Sequence, residues 1–193
     1  MIGGVVLAAG EGSRFGGGKL VAELDGRPLL EHAVEAMLAV PAVERVVVVL
    51  GAGAEELARV VDLAETDTVV CERWDEGMAA SLRTGVRTLA DAEAVVVTLG
   101  DQPFITPEVI AAIVGQLERP EPAARAIYEG SPGHPVLIKR SLFAAVASLR
   151  GDTGARDLLV ESGAREVECR HLCRPDDIDT PDDLELARLE VRK

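Results

Sequence analysis

A glycine-rich stretch with two cations follows the first apolar run of the chain and could bind phosphate. Residues 7–19 read LAAGEGSRFGGGK. Glycines let the main chain turn with positive φ and approach a ligand closely, so that backbone N–H groups can bind phosphate oxygens. The side chains of Arg14 and Lys19 could then balance the phosphate charge. The alternative is a flexible turn that carries two solvated cations.

The spacing of this stretch fits neither of the two common phosphate-binding loops. After Gly10 and Gly12, the next glycine comes one place later than in the dinucleotide fingerprint, and no acidic residue ends a second strand at the required distance. Lys19 is followed by Leu20, whereas the lysine of a P-loop is followed by a Ser or Thr that binds the metal ion. An NAD-binding module remains open only as an alternative.

Two aspartates later in the chain could bind a divalent metal ion. Asp101 follows Gly100 and the apolar run 94–99, and open α/β sheets bind ligands beyond the carboxyl ends of their strands. Mg²⁺ typically binds one or two carboxylates together with phosphate oxygens and water. Asp101 could instead form a turn or cap a helix. Asp179 is a second candidate, because helix capping accounts for Thr180 and Asp183 but leaves Asp179 unexplained.

The charge balance limits the partners of the protein. The 193 residues include 33 acidic and 20 basic ones, which gives a net charge of -13 and argues against nucleic acid or an anionic membrane as a partner. Residues 1–28 hold three of each sign, so an anion could be received there. Three cysteines without an even-numbered framework indicate a reducing compartment. Since no apolar run reaches the roughly 18 residues of a membrane span, we expect a cytoplasmic protein.

The elements that would position these residues alternate between strand and helix. Continuously apolar runs predict buried parallel strands at 5–8, 46–50, 68–71 and 94–99. Helical spacing follows Pro28 and recurs at 54–63, 78–89 and 107–117. This order predicts an α/β fold of three layers, αβα and Rossmann-like, in a single domain over residues 1–193.

The second half of the chain is less regular. Strands are predicted at 126–128 and 135–138 around a hairpin-like turn, which favours one antiparallel strand in the mostly parallel sheet. A last strand is predicted at 167–173, with short helices at 141–149, 155–161 and 181–189. Alternation on that last strand would place Cys169, His171 and Cys173 on one face. Zinc is not expected there, because a fourth ligand is missing.

The glycine-rich stretch resembles a known signature. LAAGxxxRFGxxK resembles the loop of nucleotidyltransferases that activate sugars, isoprenoid precursors and molybdopterin, and in particular that of the MocA-like molybdenum cofactor cytidylyltransferases beside the MobA guanylyltransferases. Later segments match in order, so the resemblance covers essentially the whole chain. The matching segments are GMAASLRTG at 77–85, LGDQP at 99–103, GSPGHPV at 130–136 and GDTGAR at 151–156. Ala9 is similar to the cytidylyl type, because the guanylyl type usually has a glycine there.

The resemblance implies a reaction and a set of site residues. It implies transfer of CMP from CTP to the phosphate of molybdenum-bearing molybdopterin, with release of pyrophosphate and with Mg²⁺ as cofactor. The implied catalytic residues are Lys19, Arg14 and Asp101, and the implied metal ligands are Asp101 and Asp179. The implied nucleotide-binding residues are Leu7, Ala8, Ala9, Gly10, Gly12, Arg14, Phe15, Gly16, Lys19, Gly77, Ser81, Gly100 and Asp101.

The acceptor side is less well matched. The resemblance implies that Gly133, His134 and Arg156 border the acceptor, but Ser131 and Pro132 stand where an arginine often precedes the Gly-His pair. Three alternatives therefore remain: a guanylyl or other transferase that acts on a sugar phosphate, a catalytically idle nucleotide-binding or chaperone module, and the NAD-binding module. A molybdoenzyme or its chaperone would be the protein partner.

Overall fold

Nine strands and seven helices alternate along the part of the chain that this computed structural model describes, residues 1–152 and 155–191. The strands are β1 (Ile2–Ala8), β2 (Glu23–Leu24), β3 (Arg27–Pro28), β4 (Val43–Leu50), β5 (Asp67–Val70), β6 (Ala94–Leu99), β7 (Ala123–Tyr128), β8 (Ser131–Lys139) and β9 (Arg165–Glu168). The helices are α1 (Leu29–Leu38), α2 (Ala54–Val60), α3 (Met78–Thr88), α4 (Pro107–Val114), α5 (Phe143–Val146), α6 (Arg156–Glu161) and α7 (Pro181–Val191).

Seven of these strands form one sheet in the order β5-β4-β1-β6-β8-β7-β9. Only β8 runs against its neighbours among the described strands of this sheet, since β6 and β7 both pair with it antiparallel. The prediction of a mostly parallel sheet with one antiparallel strand is confirmed. The chain passes from β1 to β4 on one side and later to β6 on the other, so β1 lies at a switch point, where open sheets bind ligands.

The central strands are apolar on both faces because helices cover both. Val6 and Val48 have no exposed surface and pack in one cluster with α1 and α4. Val5 and Val47 are equally buried but point to the other face, where α3 packs. This alternation within continuously apolar strands produces the three predicted layers. Among residues 1–152 and 155–191, no helix is long and apolar enough to cross a membrane.

Two predictions for the second half were wrong. The strand predicted at 167–173 is β9, which begins at Arg165 and ends at Glu168. Leu172 N donates to Cys169 O at 2.9 Å and closes a turn, so the residues after Glu168 do not alternate on one face. Cys169 is buried whereas His171 is exposed. The helix predicted at 141–149 is also shorter, because a 3-10 turn precedes α5 and α5 ends at Val146.

Because both faces of the central strands are buried, Val→Ala should destabilise the protein more in a central strand than at an exposed position of the edge strand β5. Val48→Ala in β4 removes two buried methyl groups from a side chain with no exposed surface and should lower the free energy of unfolding by about 2 kcal/mol. Val70→Ala in β5 is the matched control, because Val70 is 54% exposed. Urea unfolding at neutral pH measures both. Equal effects would contradict the burial of β4.

Candidate active site

The glycine-rich stretch forms an open loop after β1. It contains two short 3-10 turns, at Ser13–Phe15 and Lys19–Val21. Gly17 lies between them with φ of +96°, in a region that residues with side chains rarely adopt. A side-chain carbon added at Gly10, Gly16 or Gly17 would meet no described atom within 4 Å. The loop therefore has a conformation that requires glycine, and space for a ligand beside it.

Lys19 joins this loop to two distant carboxylates. Its Nζ lies 2.6 Å from Asp101 Oδ2 and 2.9 Å from Asp179 Oδ1, while Arg14 Nη1 lies 3.0 Å from Asp179 Oδ2. The side chain of Lys19 is only 11% exposed and that of Arg14 is 77% exposed. Four of the predicted site residues thus lie together, although they come from three separate parts of the chain.

The charged groups around Lys19 shift one another's pKa values. Burial lowers the pKa of Lys19, but the ion pairs with Asp101 and Asp179 outweigh it, so the pKa is raised and the ammonium is charged. Burial together with the nearby charge of Asp101 raises the pKa of Asp177. The three carboxyl groups of Asp101, Asp177 and Asp179 therefore outnumber the two cations, Lys19 and Arg14, at this end of the sheet.

These carboxylates fit a divalent cation. Asp101 Oδ1 is buried and has no hydrogen-bond partner among the described residues, and Asp179 contacts the same lysine. Hard cations such as Mg²⁺ prefer carboxylate oxygens, and one or two such ligands suffice when phosphate completes the shell. Within residues 1–152 and 155–191, no group of three or more His, Cys, Asp or Glu side chains could hold a metal ion. The protein therefore offers Asp101 and Asp179 as a pair.

Asp179 is held in place by the start of α7. Asp183 Oδ2 accepts hydrogen bonds from Asp179 N at 3.1 Å and Thr180 N at 2.7 Å, while Asp183 N donates to Thr180 Oγ1 at 3.2 Å. This reciprocal cap satisfies backbone N–H groups at the helix start. The hydrogen bonds from Thr180 also lower the pKa of Asp183. The cap leaves the Asp179 carboxylate to Lys19 and Arg14.

Gln102 was not predicted as a site residue from the sequence. It forms a hydrogen bond between the segment that follows β6 and the segment that precedes α7. Gln102 is 4% exposed, and its Nε2 donates to Pro175 O at 3.2 Å. Beside it, Ile178 N donates to Asp101 O at 3.0 Å. A glutamine between an aspartate and a proline gives no local signal of such a role. The contact is visible only once the end of the chain returns to the sheet.

A cavity of about 840 Å³ lies on the face of the sheet that α3 and α6 cover, and its lining includes Gln102 and Asp177, close in sequence to Asp101 and Asp179. All three predicted acceptor residues, Gly133, His134 and Arg156, line it. Burial lowers the pKa of His134 to about 4, with partial opposition from the charge of Asp101, so its imidazole is neutral at pH 7. Tyr128 OH donates to His134 O at 2.6 Å and fixes the backbone at the cavity wall.

The other predicted nucleotide residues are placed less uniformly. Gly77 is packed against the chain, since a side-chain carbon there would lie 2.2 Å from Asp152 Oδ1. Ser81 is 5% exposed and does not line the cavity, whereas Leu7 does. Phe15 packs against a small apolar cluster that includes Leu24. These contacts give structural reasons for Gly77, Ser81 and Phe15.

The remaining predicted residues lie at the strand ends or next to the segment that is not described. Ala8 and Ala9 are buried at the end of β1, and Gly100 N donates to Leu7 O at 2.9 Å. Within the predicted segment 151–156, Thr153 and Gly154 lie outside the described residues.

Comparison with known proteins identifies the class. A model of the MobA-like NTP transferase domain matches residues 4–167, so the chain belongs to that family and has its αβα nucleotidyltransferase fold. The chain is 35% identical over 188 residues to the nicotine blue oxidoreductase of Paenarthrobacter nicotinovorans, covering 92% of this chain and 91% of that protein. It is 35% identical over 111 residues to a probable molybdenum cofactor guanylyltransferase of Thermococcus sibiricus, covering 58% of this chain and 53% of the relative.

Solved structures agree with this class. The crystal structure of Rv0371c from Mycobacterium tuberculosis has a TM-score of 0.84 at 31% identity and covers 97% of both chains. A complex of Rv0371c with manganese has a TM-score of 0.80 at 29% identity, covering 97% of this chain and 98% of that one. A protein of the same fold thus forms a complex with manganese.

The low pKa of His134 predicts a pH dependence of stability. An unfolded histidine binds a proton near pH 6.5, whereas folded His134 does so near pH 4. The free energy of unfolding should therefore fall as the pH is lowered between these values, by about 3 kcal/mol in total from this group. Urea unfolding of the wild type and His134→Gln at several pH values measures the difference, and His171→Gln is the exposed control. Identical slopes for the wild type and His134→Gln would contradict the prediction.

Proposed function

We propose that the protein is a magnesium-dependent cytidylyltransferase that acts in the cytoplasm. It transfers CMP from CTP to the phosphate of molybdenum-bearing molybdopterin and releases pyrophosphate. The observation that supports this most is the contact of Lys19 with both Asp101 and Asp179 at the mouth of the glycine-rich loop. A molybdoenzyme or its chaperone would receive the product.

The reaction needs charge control more than proton transfer. An oxygen of the acceptor phosphate forms a bond to the α-phosphorus of the nucleotide, and the bond from that phosphorus to the bridging oxygen of pyrophosphate breaks. The attacking oxygen is already an anion, so a strong general base is unnecessary. The obstacle is repulsion between two anions, and positioned positive charge together with in-line placement lowers it.

The side chains on the loop are suited to this task. The ammonium of Lys19 and the guanidinium of Arg14 can exchange their carboxylate partners for phosphate oxygens, since Arg14 is largely exposed and both lie on the glycine-rich segment. Asp101 and Asp179 would hold the Mg²⁺ ion, which supplies positive charge to the reacting phosphates when bound. His134 stays neutral beside the acceptor and adds no charge there.

The proposal includes the identity of the nucleotide base and of the acceptor. The cytidylyl assignment rests on the resemblance at Ala9, and one relative is named as a guanylyltransferase. Pyrophosphate release from each of the four nucleoside triphosphates, with molybdopterin or glucose 1-phosphate as acceptor, separates the possibilities. The proposal expects release with CTP and molybdopterin. Release only with GTP, or only with the sugar phosphate, would replace it.

A second candidate activity is reduction by a nicotinamide cofactor. It is favoured by the relative from Paenarthrobacter nicotinovorans, which is named as an oxidoreductase and matches nearly the full chain. The loop lacks the dinucleotide glycine spacing, which speaks against it. Incubation with NADH or NADPH and a quinoid dye, followed at the absorbance of the reduced nicotinamide, tests it directly. Turnover there without pyrophosphate release from CTP would favour the oxidoreductase.

The ion pairs of Lys19 predict which substitutions abolish transfer. Lys19→Ala and Asp101→Ala should each lower kcat by about a thousandfold or more, because Lys19→Ala removes a positive charge that would face the reacting phosphates and Asp101→Ala removes a proposed ligand of the Mg²⁺ ion. Pyrophosphate release measures the rate, and circular dichroism checks that the variants fold. Asp91→Ala is the control, since Asp91 is exposed and lies outside this network. Wild-type turnover by either site variant would overturn the assignment.

A further inference from the structure

Arg125 is a charged residue on the apolar floor of the cavity. It lies in β7, between Ala124 and Ala126, and its partner across the ladder is Val136 of β8. Its side chain is only 12% exposed and borders the cavity. Arg170 and Arg174 also line the cavity, but their side chains are 67% and 49% exposed. A nearly buried guanidinium on a sheet face is uncommon unless its donors have partners.

Only some of the N–H groups of Arg125 donate hydrogen bonds to described residues. Its Nε donates to Glu166 Oε1 at 3.2 Å, and its Nη2 donates to the same oxygen. A guanidinium has five N–H groups, so three of them make no hydrogen bond with any described residue. Glu166 in β9 satisfies one edge of the group and does not line the cavity. Arg125 itself lines the cavity, so a ligand there could accept hydrogen bonds from the remaining N–H groups.

The position of Arg125 in the sheet sets a length for the ligand. Val97 of β6 pairs with Val136, and Val136 pairs with Arg125, so Arg125 lies two strands from β6, roughly 10 Å across the sheet. Asp101 lies beyond the carboxyl end of β6. The backbone positions of Asp101 and Arg125 are therefore farther apart than a single phosphate group spans.

We infer that Arg125 is a specificity-determining residue for the acceptor substrate. Its remaining N–H groups bind an oxygen of an elongated acceptor whose phosphate lies at the Asp101 end of the cavity. That oxygen is a ring carbonyl or an anionic group, both of which suit the planar guanidinium. A short monosaccharide phosphate does not reach it. The inference rests on the proposed function for the identity of the phosphate end.

The test measures binding, so that it does not depend on turnover. Molybdopterin is the long probe and glucose 1-phosphate is the short probe, each titrated calorimetrically without nucleotide. Arg125→Met keeps the length of the side chain and removes its N–H groups. Arg45→Met is the matched control, because Arg45 Nε donates to Asp67 Oδ2 at 2.6 Å between β4 and β5 and does not line the cavity.

Arg125→Met should weaken molybdopterin binding by about tenfold or more and change glucose 1-phosphate binding by less than about twofold. Arg45→Met should change neither. Unchanged molybdopterin affinity in Arg125→Met, an equal loss for both probes, or no binding of molybdopterin to the wild type would each overturn the inference. CMP transfer from CTP to molybdopterin is assayed separately on the same wild-type preparation, and this assay tests the proposed function. Arg125-dependent binding without CMP transfer would sink the proposed function and leave the inference standing.

Discussion

The ammonium of Lys19 between Asp101 and Asp179 is the interaction on which the site depends. It joins three parts of the chain that are far apart in the sequence: the glycine-rich loop, the end of β6 and the segment before α7. Two carboxylates that contact the same lysine repel each other, and the ammonium that they share reduces that repulsion. Because Lys19 is 11% exposed, the pairs are largely desolvated, and losing one member would leave an uncompensated charge. The charged side chains that hold the site together are therefore the same ones that the proposed transfer reaction uses.

The distribution of charge reconciles an acidic protein with phosphate substrates. The net charge of -13 would repel polyanions, yet the loop after β1 contributes Arg14 and Lys19 to the mouth of the site. Asp101 and Asp179 add the acidity that a divalent ion neutralises, and Arg125 supplies a separate cation deeper in the cavity. Positive donors thus lie at two places, on the loop after β1 and on β7, which fits an elongated anionic ligand.

Much of the fold could be predicted from the sequence, because local patterns of apolar and turn residues indicate the individual strands. The continuous apolar run at 94–99 predicted β6 with its observed bounds, and the turn chemistry around residue 130 predicted the antiparallel strand. Arg125 and Gln102 could not be found in this way. β7 begins in an alanine-rich stretch without a strand pattern, and Gln102 acts through the returning end of the chain. The strand predicted at 167–173 was wrong because local alternation does not show where ladder pairing stops.

A double-mutant cycle on Lys19 and Asp179 measures whether their ion pair holds the site together. Free energies of unfolding are measured by urea titration for the wild type, Lys19→Met, Asp179→Asn and the double variant. If the ion pair joins the loop to the end of the chain, the two substitutions should be non-additive by about 1 kcal/mol or more. If their effects add to within about 0.4 kcal/mol, the contact between Lys19 and Asp179 does not hold the site together.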